Sequence, residues 1–172
     1  AEGLKSVKGV SGRMESLPAE GFDFSVILDF AHTPDGLSNL LSAVQGFAKG
    51  RVIAVFGCGG DRDNAKRPIM GATAAKLADF CVVTSDNPRT EDPTRIINMV
   101  LEGVRSEKTE YVVIENRREA IRYALNIAKK DDVVVLAGKG HEDYQEIKGK
   151  KYPMDERVLI REILAEDAAK GK

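Results

Sequence analysis

Residues 132–137 read Asp-Val-Val-Val-Leu-Ala, one acid followed by five apolar residues without interruption. A strand that is apolar on both faces is typical of a parallel sheet with helices on each side, whereas a half-exposed strand alternates. Similar runs, rich in β-branched and aromatic residues, occur at 25–31 (SVILDFA), 51–56 (RVIAVF), 80–84 (FCVVT) and 111–114 (YVVI). Together these runs predict an α/β fold built on buried strands.

Segments with helical periodicity separate these strands. We expect Asp35 to cap the first helix, whose apolar face extends to Phe47, and further helices at 67–78, 92–104, 118–128 and 155–166. Lys148-Gly149-Lys150 predicts a hairpin turn between strands at 144–147 and 151–152. The alternation predicts a Rossmann-like, mostly parallel sheet of about six strands, with helices on both faces and a C-terminal β-hairpin.

The length of 172 residues corresponds to about one domain, and 26 Lys and Arg nearly balance 27 Asp and Glu. This balance disfavours nucleic-acid binding, and the sequence shows neither a membrane-spanning run nor a secretion signal. Cys58 and Cys81 form no CxxC pair, which favours a reduced, cytoplasmic setting. About the first eight residues look linker-like, and a start without Met is expected of a piece of a longer protein.

Polar loops follow four of the predicted strands, and in a parallel sheet the carboxyl ends of the strands share one edge. Most of the loop residues are charged, Gly or Asn, and both histidines, His32 and His141, lie among them. One polar loop means little, because turns are commonly polar. Four such loops on one edge predict a pocket for a charged small molecule; they span 29–35, 57–63, 85–92 and 138–143.

Three familiar motifs fail in these loops. A dinucleotide fingerprint beginning at Gly57 needs Gly where Arg62 stands, which disfavours a dinucleotide-dependent oxidoreductase. The segment around Lys139 lacks the first Gly and the Ser or Thr of a P-loop, so if the protein uses ATP, its triphosphate cradle lies elsewhere. Residues 141–145 (HEDYQ) do not match HExxH, and we predict no metal site and no catalytic side chain here.

Arg89 follows Asn87-Pro88 in a proline-stiffened turn, where its guanidinium can bind a carboxylate through two parallel hydrogen bonds. Glu142, on the loop after the last strand of the sheet, is expected close to Arg89. A carboxylate binder beside an ammonium binder is what a zwitterionic amino acid requires. The residues alone leave open the alternative of an ordinary turn with a solvated arginine.

Five short motifs are distinctive when taken together. They are Gly12–Glu15 (GRME), Asp29–Asp35 (DFAHTPD), Phe56–Pro68 (FGCGGDRDNAKRP), Asp86–Arg89 (DNPR) and Gly138–Gln145 (GKGHEDYQ). Together they resemble the C-terminal domain of the Mur ligases, in particular the branch that adds meso-diaminopimelate. The motifs come in the family's order, and the similarity extends over about residues 9–161. Each motif is weak alone, but the combination is specific.

The resemblance implies roles for the matching residues. By this resemblance, the residues that bind meso-diaminopimelate are Arg62, Asn87, Arg89, Gly138 and Glu142. Those that face the nucleotide are Arg13, Asp29 and His32, with Asp29 on the ribose hydroxyls. The arginine of the DNPR motif marks diaminopimelate enzymes in this family. An arginine fork that pairs with the distal carboxylate of diaminopimelate is left unpaired by lysine, which lacks that group.

The resemblance also implies a reaction. Ligases of this branch use ATP and Mg²⁺ to convert the D-Glu γ-carboxylate of UDP-MurNAc-L-Ala-D-Glu into an acyl phosphate, which the amine of meso-diaminopimelate attacks. Their N-terminal UDP-binding domain and central ATPase domain, which hold most ATP and Mg²⁺ contacts, are not expected in this chain. We therefore expect a monomeric, cytoplasmic protein of peptidoglycan synthesis whose C-terminal domain alone is inactive. The alternative is a stand-alone module that binds a charged amino acid or peptide.

Overall fold

A computed structural model describes residues 11–170, and the linker-like first residues lie outside this described part. The elements in chain order are β1 (Glu15–Leu17), β2 (Ser25–Asp29), α1 (Pro34–Gln45), β3 (Val52–Phe56), α2 (Lys66–Leu77), β4 (Phe80–Val83), α3 (Pro93–Val104), β5 (Glu110–Val113), α4 (Arg117–Ile127), β6 (Val133–Ala137), β7 (Tyr144–Ile147), β8 (Lys150–Pro153) and α5 (Glu156–Ala169). Between residues 11 and 170, no helix combines the length and apolarity needed to cross a bilayer.

Six strands form one sheet in the order β1-β2-β6-β3-β4-β5. All neighbouring pairs are parallel except β1 with β2, so the predicted mostly parallel sheet is confirmed. β6 is the last of these strands in the sequence, yet it lies between β2 and β3 and pairs with both. β7 and β8 form the predicted hairpin as a separate two-stranded sheet.

Two apolar cores lie on opposite faces of the sheet. Helices α1, α2 and α3 cover one face, and α4 and α5 cover the other. Strand β6 contributes to both, because successive side chains point to opposite faces: Val133 and Val135 belong to the first core, Val134 and Leu136 to the second. This double burial is the physical reason for its uninterrupted apolar sequence.

The N-terminus of α1 differs from the prediction. Thr33, not Asp35, is the N-cap residue, and its Oγ1 accepts a hydrogen bond from Gly36 N at 3.1 Å. Pro34 then starts the helix, where its missing N–H costs nothing, and Asp35 sits in the first turn, where the helix dipole favours an acid. Asp92 caps α3 as predicted. The short edge strand β1 was not predicted.

Candidate functional site

The loops that follow β2, β3, β4 and β6 converge at the carboxyl edge of the sheet. Backbone hydrogen bonds join them directly: Gly60 N donates to Asn87 O at 2.8 Å, and Gly138 N donates to Asp29 O at 3.0 Å. The first bond links the loops after β3 and β4, and the second links the β6 loop to the end of β2. The predicted meeting of polar loops at one edge is therefore what the structure shows.

Asn87 is the centre of a buried polar cluster between the β4 and β6 loops. Its Nδ2 donates to Glu142 Oε2 at 2.9 Å. Its Oδ1 accepts from Lys139 Nζ at 3.0 Å and from Glu146 N at 2.9 Å. Because Asn87 is 3% exposed, these partners fix the orientation of its amide. Two of the predicted binding residues, Asn87 and Glu142, are therefore in direct contact.

Lys139 carries the positive charge of this cluster, and its side chain is completely buried. Besides Asn87, its Nζ donates to Tyr144 O at 2.6 Å, and it lies 3.4 Å from Asp86 Oδ1 and 3.6 Å from Glu142 Oε2. The Oδ1 atom of Asp86 accepts no hydrogen bond within the described residues. The Lys139 ammonium and the buried guanidinium of Arg117 both compensate its charge. Asp86 and Lys139 were both missed by sequence reasoning as members of the site.

The backbone of Arg89 is hydrogen-bonded to the β7–β8 hairpin. Arg89 N donates to Glu146 O at 3.0 Å, and Lys148 N donates to Arg89 O at 2.6 Å, which makes a parallel bridge between Arg89 and Ile147. The φ of Arg89 is +52°, in the left-handed region that few residues other than Gly adopt. The hairpin thus holds Arg89 in a conformation that its own sequence does not favour.

The guanidinium of Arg89 points across the β3 loop. Its Nη1 donates to Gly60 O at 2.7 Å, and its Nε lies 3.5 Å from Glu146 Oε2. Within residues 11–170 no hydrogen bond uses Nη2, and the side chain remains 22% exposed. Glu142 was expected beside Arg89, but the carboxylate nearest to it is that of Glu146, while Glu142 contacts Asn87 instead.

The remaining predicted amino-acid-binding residues differ in how firmly they are held. Gly138 has φ +122°, and a Cβ built on it would lie 3.2 Å from Asp86 Oδ2, so glycine is required beside the polar cluster. Arg62 is exposed on the β3 loop and makes no ion pair or hydrogen bond through its side chain within residues 11–170. The structure therefore places Arg62 at the rim, with its charge available to solvent.

Asp29 lies at the end of β2 and is largely buried. Its Oδ2 accepts from Met14 N at 2.7 Å, and its Oδ1 accepts from Ala31 N at 2.7 Å. Arg13, next to Met14, is exposed. Both oxygens of Asp29 thus already order the backbone on either side, although a carboxylate oxygen can accept a second bond.

His32 is exposed on the same side of the edge. Its Nδ1 lies 2.8 Å from Phe30 O, and its ring centroid is 4.6 Å from that of Phe30. The ring of His141 approaches the same phenylalanine at 5.1 Å. The rings of both histidines therefore pack against the same phenylalanine ring. Within the described residues, no three His, Cys, Asp or Glu side chains are grouped as metal ligands.

Arg67, a buried arginine of α2, holds the loop that follows β3 in place. Arg67 is fully buried and donates to both oxygens of Glu91, from Nη1 at 3.0 Å and from Nη2 at 2.7 Å, and also to Gly59 O at 3.2 Å. Hydrogen bonding to Arg67 holds the pKa of Glu91 below its usual range. Asp61 N donates to the same carboxylate at 2.6 Å. Helix α2 is thereby tied to the β3 and β4 loops.

A second ion pair anchors the N-terminal segment. Arg157 of α5 donates to both oxygens of Glu15 on β1, at 2.9 Å and 2.5 Å, and its Nη1 donates to Gly140 O at 3.2 Å. The hydrogen bond from Arg157 lowers the pKa of Glu15. The motifs around Gly12 and Gly140 are thus held together by one side chain from the last helix.

Comparison with known proteins identifies the family. Residues 12–140 match the family described as Mur ligase, glutamate ligase domain. The chain belongs to the Mur ligases. The resemblance drawn from the five motifs is therefore confirmed, and the polar edge described above is an edge of a Mur ligase C-terminal domain.

Several curated relatives are named UDP-N-acetylmuramoyl-L-alanyl-D-glutamate–2,6-diaminopimelate ligase. The protein from Caldanaerobacter subterraneus subsp. tengcongensis is 57% identical over 157 residues, which cover 91% of this chain and 32% of that protein. The one from Clostridium botulinum is 53% identical over 166 residues, 96% of this chain and 34% of that protein. A solved structure with this name has a TM-score of 0.87 and 40% identity, covering 94% of this chain and 33% of that one. This Mur ligase chain spans about one third of the length of these relatives.

Proposed function

We propose that this chain is the amino-acid-binding domain of an ATP-dependent ligase that joins meso-diaminopimelate to UDP-MurNAc-L-Ala-D-Glu in peptidoglycan synthesis. The observation that carries the proposal is the Arg89 guanidinium, whose Nη2 makes no hydrogen bond within residues 11–170, close to the polar cluster around Asn87. The relatives named as ligases of this kind match over nearly the whole chain, which supports the same substrate.

The distal carboxylate and the distal ammonium of meso-diaminopimelate each have a partner of opposite charge in the site. Arg89 pairs with the distal carboxylate, and Arg62 at the rim adds a second positive charge. Glu142 and Asp86 accept from the distal ammonium, while Asn87 and the backbone at Gly138 shape the floor between them. Lysine has the ammonium but not the carboxylate, so it leaves Arg89 unpaired and is rejected.

The domain's contribution to the reaction is orientation. Holding diaminopimelate by its distal end directs the other amine toward the acyl phosphate, which converts an encounter between two molecules into a reaction within one complex. No side chain of this cluster needs to form a covalent bond. We expect the domain to act as a monomer in the cytoplasm and to close against the UDP-binding and ATPase domains.

The end of β2 fits part of a nucleotide. ATP bound with Mg²⁺ supplies the phosphoryl group that activates the carboxylate. Asp29 retains acceptor capacity for ribose hydroxyls, and the exposed Arg13 and His32 can face the phosphates or the base. These residues provide no cradle for a triphosphate, so we expect no ADP release by residues 1–172 alone.

The test is the steady-state kinetics of the full-length ligase with Arg89→Ala. We expect the KM for meso-diaminopimelate to rise roughly 100-fold or more, because two charge-assisted hydrogen bonds are lost, while the KM for ATP stays within about twofold. Arg105→Ala, an exposed arginine at the other edge of the sheet, is the matched control and should change neither value. Equal rises in both KM values for Arg89→Ala would remove the assignment of Arg89.

A further inference from the structure

We propose that Lys139 is a positioning residue of the amino-acid site, which acts on the ligand only through Asn87 and the two carboxylates of Asp86 and Glu142. The inference rests on the proposed function and adds to it a residue that has no exposed atom in its side chain. Because the ammonium is sealed from solvent, direct contact with a ligand is excluded in this conformation, and any influence on binding must pass through its neighbours.

The neighbours of Lys139 come from separate parts of the chain. Asn87 and Asp86 lie on the β4 loop, Glu142 on the β6 loop, and Tyr144 at the start of the hairpin. A buried ammonium is tolerated only when its three donors meet acceptors or opposite charges. Here Nζ donates to two neutral oxygens, those of Asn87 and Tyr144, and lies 3.4 Å and 3.6 Å from the two carboxylates. One cation thus holds three segments of the site in register.

Lys139 also selects the orientation of the Asn87 amide. The two lone pairs of Asn87 Oδ1 are taken by Lys139 Nζ and by Glu146 N, at 3.0 Å and 2.9 Å. The amide must therefore present Nδ2 to Glu142, which it does at 2.9 Å. Without Lys139, two hydrogen bonds remain to hold the amide, from Glu146 N to Oδ1 and from Nδ2 to Glu142. The amide is then held less firmly, and so is the Glu142 carboxylate to which it donates.

The charge of the cluster follows from the same residue. Two carboxylates and one ammonium leave a single uncompensated negative charge, which one ligand ammonium neutralises. Removing Lys139 leaves two carboxylates that repel each other in a largely buried space. The guanidinium of Arg117 also interacts electrostatically with Asp86 and Glu142, but its charge is balanced by its ion pair with Glu156. Lys139 therefore matches the site to one cationic group.

The experiment compares Lys139→Met with Lys150→Met in the full-length ligase. Lys150 is an exposed lysine of the same hairpin region and serves as the matched control. For Lys139→Met we expect the KM for meso-diaminopimelate to rise about tenfold or more, with the KM for ATP within about twofold and kcat at saturating substrate reduced less than about threefold. Lys150→Met should resemble the wild type in all three values.

A conservative variant separates positioning from folding. Lys139→Gln keeps a donor for Asn87 Oδ1 without the charge, and we expect its KM for meso-diaminopimelate to lie between those of the wild type and Lys139→Met. Thermal melting of each variant shows whether it is folded. If Lys139→Met does not fold, the Lys139→Gln enzyme carries the test, with a rise of about threefold or more expected for diaminopimelate only.

Two outcomes overturn the inference: an unchanged KM for meso-diaminopimelate in the folded variants, or an equal rise in the KM for ATP. The wild-type enzyme distinguishes this failure from that of the proposed function. Wild-type ligase that releases no ADP in response to meso-diaminopimelate refutes the proposed function itself. Wild-type ligase that is active, with Lys139 variants of normal KM, refutes only the role of Lys139.

Discussion

Replacing Glu156 by Leu is expected to lower the free energy of unfolding by about 3–5 kcal/mol, because it leaves a buried arginine without its counter-ion. Arg117 of α4 and Glu156 of α5 form an ion pair whose side chains are 0% and 1% exposed. The pair is only half satisfied, since Arg117 Nη1 and Glu156 Oε2 have no hydrogen-bond partner within residues 11–170. The two ions are joined by one hydrogen bond, from Arg117 Nε to Glu156 Oε1, while Arg117 Nη2 donates to Ala137 O at 3.2 Å.

The double variant Arg117→Met, Glu156→Leu is expected to recover most of that loss and to unfold within about 1 kcal/mol of the wild type. Two apolar side chains need no counter-charge in this position, and the cost of taking both ions out of water disappears. At about 2–4 °C per kcal/mol for a chain of this size, the single variant should melt roughly 6–20 °C lower.

The assay is urea unfolding followed by circular dichroism for the wild type, both single variants and the double variant. A matched control is the exposed ion pair between the same two helices, in which Arg118 Nη2 lies 3.2 Å from Glu162 Oε2. The two side chains are 49% and 50% exposed. Glu162→Leu should cost less than about 1 kcal/mol. A loss that small for Glu156→Leu, or a double variant as unstable as the single, would refute the reasoning.

Three further predictions follow from other parts of the structure. In Gly60→Ala the new Cβ would lie 1.9 Å from Pro88 O, so we expect lower stability in urea and a raised KM for meso-diaminopimelate; unchanged values would contradict the tight loop packing. Burial of Asp132 opposes its ionisation, but hydrogen bonds from Arg51 and from backbone N–H groups outweigh burial and lower its pKa. This stabilisation is present above the ordinary aspartate pKa of about 4 and is lost as the pH falls through the lowered pKa of Asp132. The free energy of unfolding of Asp132→Asn should therefore fall less steeply than that of the wild type between about pH 5 and pH 2. The same steepness in both proteins would contradict this prediction. Burial raises the pKa of the Cys58 thiol to about 12, so a thiol reagent at about pH 8 should label Cys58 only after unfolding, as mass spectrometry of the labelled peptide would show.

The fold was predictable because a strand that is buried on both faces has an uninterrupted apolar sequence. The apolar residues of β6 alternate between two cores, and all five of them are buried. Strand β1 has no such sequence: it is three residues long, lies at the sheet edge and is held from outside, by Arg157 bound to Glu15. Thr33 rather than Asp35 is the N-cap of α1, because Pro34 occupies the first position of the helix.

The site was predictable as a set of loops but not as a set of contacts. Topology alone brings the loops after β4 and β6 to one edge, so Asn87 and Glu142 could be expected near each other. The burial of Lys139 depends on Tyr144 and Asn87 closing over it, and a lysine between two glycines gives no sign of that. Glu146 could not be distinguished from Glu142 as the neighbour of Arg89, because the hairpin bridge decides which carboxylate arrives there.

The central position of β6 has a consequence for how this protein is made. During synthesis, β2 and β3 emerge long before residues 133–137, and each must wait with one hydrogen-bonding edge open. Until then the nascent chain holds the two outer parts of the sheet without the strand that joins them. During this time, wrong strand pairing and aggregation compete with folding. Lys139 and Glu142 emerge immediately after that strand, so insertion of β6 both closes the sheet and brings two charged groups to the candidate site. A product cut short before residue 133 would lack both at once.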